Sequence, residues 1–221
     1  MNTEEITKEL ERGVKDLLAS DKYKEYLDFM GKFHDYSVNN SILIFLQMHE
    51  FNWTSFRPVS VFDISQTDGD ALPEICNDLT GSVDGYKDLI DRLVRIAPVP
   101  VSFEPIKSAA KGYFSEAENK IVVKAEMSEE QTVKTLVHEI AHSLLHGDGG
   151  EEKEAGRRTK EVQAESVAYT VCRMLGVNTD DYSFGYIAGW SEGQELKELN
   201  KSMETIRKTA NKIMEGIKNE N

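Results

Sequence analysis

The stretch Thr135-Leu-Val-His138-Glu139-Ile-Ala-His142-Ser-Leu-Leu-His146-Gly147 carries the residue types and spacing in this chain best suited to chemistry. On a helix, positions four apart lie on one face, about 40° apart around the axis. His138 and His142 can therefore offer two imidazoles to one ion, and zinc accepts such nitrogens at roughly 2.0–2.1 Å. Glu139 falls about 100° round the helix from His138. It flanks the ion instead of binding it, placed to take a proton from a metal-bound water and to deliver it to a leaving amine. Zinc-assisted hydrolysis is the chemistry this pattern supports, with the metal lowering the pKa of its water and polarising a carbonyl. Accident would produce such a pattern in about one in a hundred chains of this composition, so the metal reading outweighs that of two unrelated histidines.

A catalytic zinc needs a third protein ligand and an open position. His146 shares the face but lies two turns from His138, about 12 Å along the axis. It reads instead as a histidine placed favourably in the last turn of its helix. The segment Lys160-Glu161-Val-Gln-Ala164-Glu165-Ser-Val-Ala168-Tyr169 offers carboxylates. Glu161 and Glu165 are four apart, on one face with Ala168 and Cys172, and the small Ala164 and Ala168 permit close helix approach. The expectation is a His138, His142, Glu165 metal set, with Glu161 orienting a histidine or serving as the alternative ligand. Cys172 reads as a packed thiol.

The elements that must position these groups can be read around them. Ser128 followed by Gln131 has capping-box spacing, and Gly147 is a stop, so the histidine helix runs between them. The charged GDGGEEKEAG loop follows, then a helix over about 159–175 ended by Gly176, and a last helix over roughly 193–217. Upstream, Tyr86, Leu89, Ile90, Leu93 and Val94 have helical spacing. Val99 to Phe103, Gly112-Tyr-Phe and Ile121-Val-Val-Lys read as β runs, with SEAEN as a turn. A small antiparallel sheet is expected, with Ile121 to Lys124 as the edge strand along which an extended peptide could pair. Nearer the start, Thr3 can cap a helix through Leu18, and further helices are expected near 22–33 and after Ser37. Residues 51–82, punctuated by Pro58, Gly69, Pro73 and Gly81, read as irregular, with one short strand near Val59 to Phe62.

The chain has 221 residues, enough for a sizeable core. Its formal net charge of -13 opposes general binding to phosphate backbones, and no basic stripe interrupts the acidic balance. No apolar run approaches the roughly 20 residues of a membrane span. The MNTEEITKEL start has no basic segment followed by an apolar one, which argues against a secretory signal. Cys76 and Cys172 are too few for a disulfide scaffold, so a reducing, cytoplasmic setting is expected.

Taken together, LVHEIAHSLLHG, EVQAESVAY and DYSFGYIAGW resemble the zincin-like C-terminal domain of ArdC-type antirestriction and LtrC-like proteins, which mobile elements often encode. The same arrangement is similar, more distantly, to the ImmA/IrrE metallopeptidases, which act on DNA-binding repressors. There the glutamate matching Glu165 is implied to be the third zinc ligand. YSVNNSILIFLQ is similar to the start of the ArdC N-terminal domain, and FDISQT to the segment leading into the zincin part. This implies single-stranded DNA binding, with Tyr36, Asn39, Asn40 and Trp53 as the contacts. Against that, the Gly- and Lys-rich stretch usual between these segments is missing, because Phe51 to Phe62 joins them almost directly.

The expected fold is α+β: an N-terminal helical unit over 1–60, a connecting segment over 61–82, and a zincin-like domain over 83–221 built on a small sheet and the HExxH helix. The expected function is a zinc metallopeptidase acting on a protein or peptide, with Glu139 as general base. The rivals are a single-stranded DNA-binding antirestriction factor with a structural zinc, and an inactive zincin that serves as an interaction module.

Overall fold

The computed structural model describes residues 13–18, 22–32, 36–50, 83–177, 190, 191, 194 and 196–219. Residues 13–18 are helical. They are followed by α1 (Lys22–Lys32), α2 (Val38–Glu50), α3 (Val83–Ile96), β1 (Val101–Glu104), β2 (Gly112–Ser115), β3 (Lys120–Lys124), α4 (Glu129–His146), α5 (Arg157–Met174) and α6 (Leu196–Asn219). The expected cap at Thr3, the strand near 59–62, and the boundaries at 60 and 82 lie outside the described residues.

Helix α4 starts where the sequence signals it. Ser128 accepts a hydrogen bond from the backbone N–H of Gln131 at 3.3 Å. The reciprocal half of the capping box is not made, because the Gln131 amide turns to Thr135 Oγ1 at 3.1 Å and accepts from Lys111. Val133, Leu136, Val137, Ile140 and Ala141 are each 2% exposed or less. Burying one such Val, Leu or Ile contributes about 1.5–3 kcal/mol, far more than the few tenths by which helix propensities differ. That apolar stripe fixes the rotation of α4 and turns His138 and His142 outward from the core. Against it pack Val162, Ala164, Val167 and Ala168 of α5, all fully buried. The α4–α5 pair is the most extensive helix packing among the described elements, and the two alanines allow it.

The sheet is mixed, where the sequence suggested an antiparallel one. Its order is β1-β3-β2, with β1 parallel and β2 antiparallel to β3. The reason lies in the β2–β3 hairpin. Asn119 takes φ 48° in its turn, an αL conformation that Asn tolerates. β3 then folds back between its predecessors, beside β1. β3 is therefore central, not the edge strand expected, and Ile121, Val122 and Val123 are all buried. β1 and β2 are the edge strands, and β2 lies against α4.

The N-terminal helices share one hydrophobic core with α3 to α6. Tyr23 and Tyr26, both buried, hydrogen-bond Ser166 at 3.0 Å and Ser41 at 2.9 Å. Asp28 accepts from both Tyr169 and Arg173, each at 2.8 Å. So α1 is tied to the outer side of α5, whose other side carries Glu161 and Glu165. In α6, Leu199, Met203, Ile206, Ala210, Ile213 and Ile217 repeat at helical spacing and are buried. No described helix is long and apolar enough to cross a membrane.

Candidate metal centre

The two imidazoles of α4 meet edge on, with Nε2 of His138 and Nε2 of His142 3.0 Å apart. From α5, Glu161 Oε2 lies 3.8 Å from the first and 3.7 Å from the second. A point equidistant from these three atoms is about 2.0 Å from each, which is the bond length zinc makes to nitrogen and carboxylate oxygen. Among the described residues this trio is the cluster able to hold a metal.

The sequence expectation placed Glu165 in that position, whereas the structure brings Glu161 Oε2 nearer the paired Nε2 atoms. Glu165 sits behind His138, its Oε2 3.1 Å from Nδ1, and its other oxygen is 3.1 Å from Lys134 Nζ. Carboxylates four apart share a helix face but stand about 6 Å apart along the axis. Only one can reach the paired Nε2 atoms, and the crossing of α5 gives that place to Glu161. The Glu165 contact lies off the N–H line of His138 Nδ1, so charge holds the pair more than a directed hydrogen bond does.

Electrostatics follow the same geometry. Burial disfavours the charged form of His138, but Glu165, Glu139 and Glu161 outweigh it and raise its pKa. The neighbouring His142 and His138 imidazoles lower the pKa of Glu161, against its partial burial. Burial acts to raise Glu165, yet His138 and Lys134 prevail and lower it. Glu139 is 7% exposed. Burial pushes its pKa up, partly offset by the two histidines and by a hydrogen bond from the Phe114 backbone N–H. A carboxyl raised in this way is a stronger proton acceptor than an exposed one.

Behind His142 lies an arrangement the sequence reading missed. His146, read as a helix-end histidine, is 5% exposed. Its Nδ1 is 3.0 Å from His142 Nδ1 and its Nε2 is 3.0 Å from Gln163 Oε1. Burial lowers its pKa to about 4, with the Gln163 contact opposing. The available signal was its spacing, four residues after His142 on one face. Gln163 gave no signal, since its meaning depends on how the helices cross.

These groups open on a cleft of about 600 Å³ lined by Gly112, Phe114, Glu139, Arg157, Lys160 and Glu161 among others. Gly112 is required there. A Cβ at this position would lie 2.6 Å from Thr135 Cγ2 and 3.0 Å from the Val122 carbonyl oxygen. Other sequence candidates lie elsewhere. Tyr36 is half-buried and Asn39 and Asn40 are exposed at the start of α2, which packs on α1 and α6. Trp53 lies outside the described residues. Cys172 is a buried free thiol, as expected.

Residues 95–181 match the model of the peptidase M78 family, described as the IrrE N-terminal-like domain. The match spans β1 to α5 and so includes both histidines and both glutamates. An uncharacterized protein of Bacillus anthracis is 32% identical over 102 residues, 44% of this chain and 17% of that protein. The chain thus covers only about a sixth of that relative. No solved structure matches. The expected ImmA/IrrE-like, zincin-like domain is supported over the matched segment; the narrower likeness to ArdC and LtrC proteins is not part of these matches.

Proposed function

We propose, starting from the similarity of residues 95–181 to peptidase family M78, that this chain carries a zinc-dependent peptidase site. In this reading His138 and His142 bind through Nε2, Glu161 completes the set, and Glu139 is the general base. The observation that carries it is the triangle of three donors whose common point lies about 2.0 Å from each atom. When bound, zinc supplies a Lewis acid that polarises a substrate carbonyl and acidifies a water. Glu139, held beside the cleft by the Phe114 N–H, takes up that proton and returns it to the departing amine. Glu165 and Lys134 hold His138 from behind. β2 is at the sheet edge and Gly112 to Phe114 line the cleft, so an extended peptide paired along β2 would pass the histidines.

The test is zinc content and peptide hydrolysis in parallel, for wild type and Glu139→Gln. The expected result is about one zinc per chain in both, with hydrolysis reduced roughly 10²–10⁴-fold in the variant. Failure of the wild type to bind supplied zinc overturns the proposal. Zinc bound without cleavage of any protein or peptide offered leaves a zinc-bound interaction module. The likeness to ArdC-type proteins adds a narrower proposal, that Tyr36, Asn39, Asn40 and Trp53 contact single-stranded DNA in a protein of a mobile element. A salt-dependent shift of labelled single strands supports it, and no binding at low salt removes it.

A further inference from the structure

From the buried nitrogen of His142 a chain of polar groups crosses three helices. His142 Nδ1 meets His146 Nδ1 at 3.0 Å, His146 Nε2 meets Gln163 Oε1 at 3.0 Å, and Gln163 Nε2 donates to Ser202 Oγ of α6 at 3.2 Å. His146, Gln163 and Ser202 are 5%, 0% and 5% exposed. In so closed a place each donor must face an acceptor, because an unmatched buried group costs about 1–3 kcal/mol.

With the Gln163 amide oriented as in these contacts, Nε2 toward Ser202 and Oε1 toward His146, that condition places the protons in the row. Gln163 donates an amide N–H to Ser202 Oγ and turns its carbonyl oxygen to His146, so His146 Nε2 carries a hydrogen. A neutral imidazole has one N–H, so His146 Nδ1 is a bare lone pair. That lone pair faces His142 Nδ1, which must then be the protonated nitrogen. His142 Nε2 is left bare, pointing at the cleft beside His138 Nε2. Both nitrogens of His146 are committed, which also removes it as a metal ligand.

We infer that Gln163 and His146 are positioning residues: the Ser202-held amide sets the tautomer of His146, and His146 sets the tautomer of His142 that leaves Nε2 free to bind a metal. Only this last step rests on the proposed zinc site. The row adds no charge to a site that already holds Glu139, Glu161 and Glu165. It also draws α6 into the centre, although Ser202 lies outside the segment matched to the peptidase family.

The deciding measurement is a long-range ¹H–¹⁵N correlation spectrum of the full chain labelled at histidine, with and without zinc. The rings are assigned by single histidine substitutions. The expected result is a lone-pair-type signal for His146 Nδ1 and an N–H-type signal for Nε2 in both samples, with the His142 proton on Nδ1 when zinc is bound. A His146 proton on Nδ1, or on both nitrogens, overturns the inference. In Gln163→Leu, zinc-free His146 should populate both tautomers, and the zinc Kd from chelator competition should weaken about 10–100-fold. Unchanged tautomer and affinity in this variant also overturn it. Ser202→Ala should shift both readouts the same way by less, and serves if Gln163→Leu does not fold. If the wild type binds no zinc, the peptidase reading fails, while the zinc-free spectrum of His146 still decides the relay.

Discussion

Replacing Glu161 and Glu165 in turn by alanine separates a metal ligand from the group behind a ligand. Glu161 Oε2 is the oxygen that approaches both Nε2 atoms, at 3.8 and 3.7 Å. Structural zinc sites bind with roughly 10–16 kcal/mol over four ligands, about 2.5–4 kcal/mol for each. Glu161→Ala should therefore raise the zinc Kd by about 10²–10³-fold, since each 1.4 kcal/mol is tenfold. Glu165 touches only Nδ1 of His138, at 3.1 Å, and shares its charge with Lys134. Removing such an outer partner costs about 10–100-fold, so Glu165→Ala should hold zinc through dialysis conditions that strip Glu161→Ala. Because the ranges meet at their ends, coordination is the second readout. With cobalt in place of zinc, Glu161→Ala should change the visible ligand-field spectrum and Glu165→Ala should leave its form intact. The assay is chelator competition followed by the cobalt spectrum. A Glu165→Ala protein that loses both metal and spectral form, beside a Glu161→Ala protein that keeps them, would refute the assignment and restore the order expected from sequence.

Two further outcomes follow from the packing around the site. Gly112→Ala would put a methyl 2.6 Å from Thr135 Cγ2 and 3.4 Å from Glu139 Cγ. The overpacking should cost about 1–3 kcal/mol in urea unfolding and reduce hydrolysis more than zinc affinity. Adding Thr135→Ser, which deletes the obstructing methyl, should recover most of the loss, and no recovery would mean the clash is not the cause. Burial raises the pKa of Tyr23 and Tyr26 well above 10. Their neutral forms therefore stabilise the fold fully below pH 10, and this is lost as pH rises through the folded-state values. Each should cost up to about 1.4 kcal/mol per pH unit above 10. The double variant Tyr23→Phe, Tyr26→Phe should show a flatter alkaline stability profile in urea, after losing about 1 kcal/mol per hydrogen bond at neutral pH. An equally steep profile would place the alkaline sensitivity elsewhere.

The sequence was most legible where chemistry and local structure share one spacing. Four-residue steps put His138, His142 and Ala141's apolar neighbours on opposite sides of one helix, and Ser128 and Gly147 marked its ends. The two glutamates were legible as a pair but not in order. Their order depends on where α5 crosses α4, a property of how the two helices pack that no single segment encodes. The sheet failed for a related reason. Strand order follows from the β2–β3 hairpin folding back beside β1, a long-range choice, whereas Asn119 and the β runs themselves were locally visible. His146 was read correctly as lying in the last turn of its helix, but its burial and its Gln163 contact were not legible, because they depend on the partner helix that covers it.

The centre explains why one histidine has a carboxylate behind it and the other a neutral row. If His138 is backed by Glu165 and Lys134, it can tolerate a shared charge, and its Nδ1 is held from one side only. Backing His142 with a second carboxylate would set a further buried negative charge near Glu139 and Glu161, at a cost that grows as water is excluded. The neutral row through His146 and Gln163 holds His142 Nδ1 without that charge, but its direction depends on how the amide is turned. Ser202 Oγ accepts from the Gln163 amide N–H, a contact that requires α6 to be docked. If His142 binds zinc as proposed, its metal-binding state is coupled to the seating of α6, so variants that loosen α6 far from the cleft, such as Met203→Ala, should weaken zinc binding along with stability.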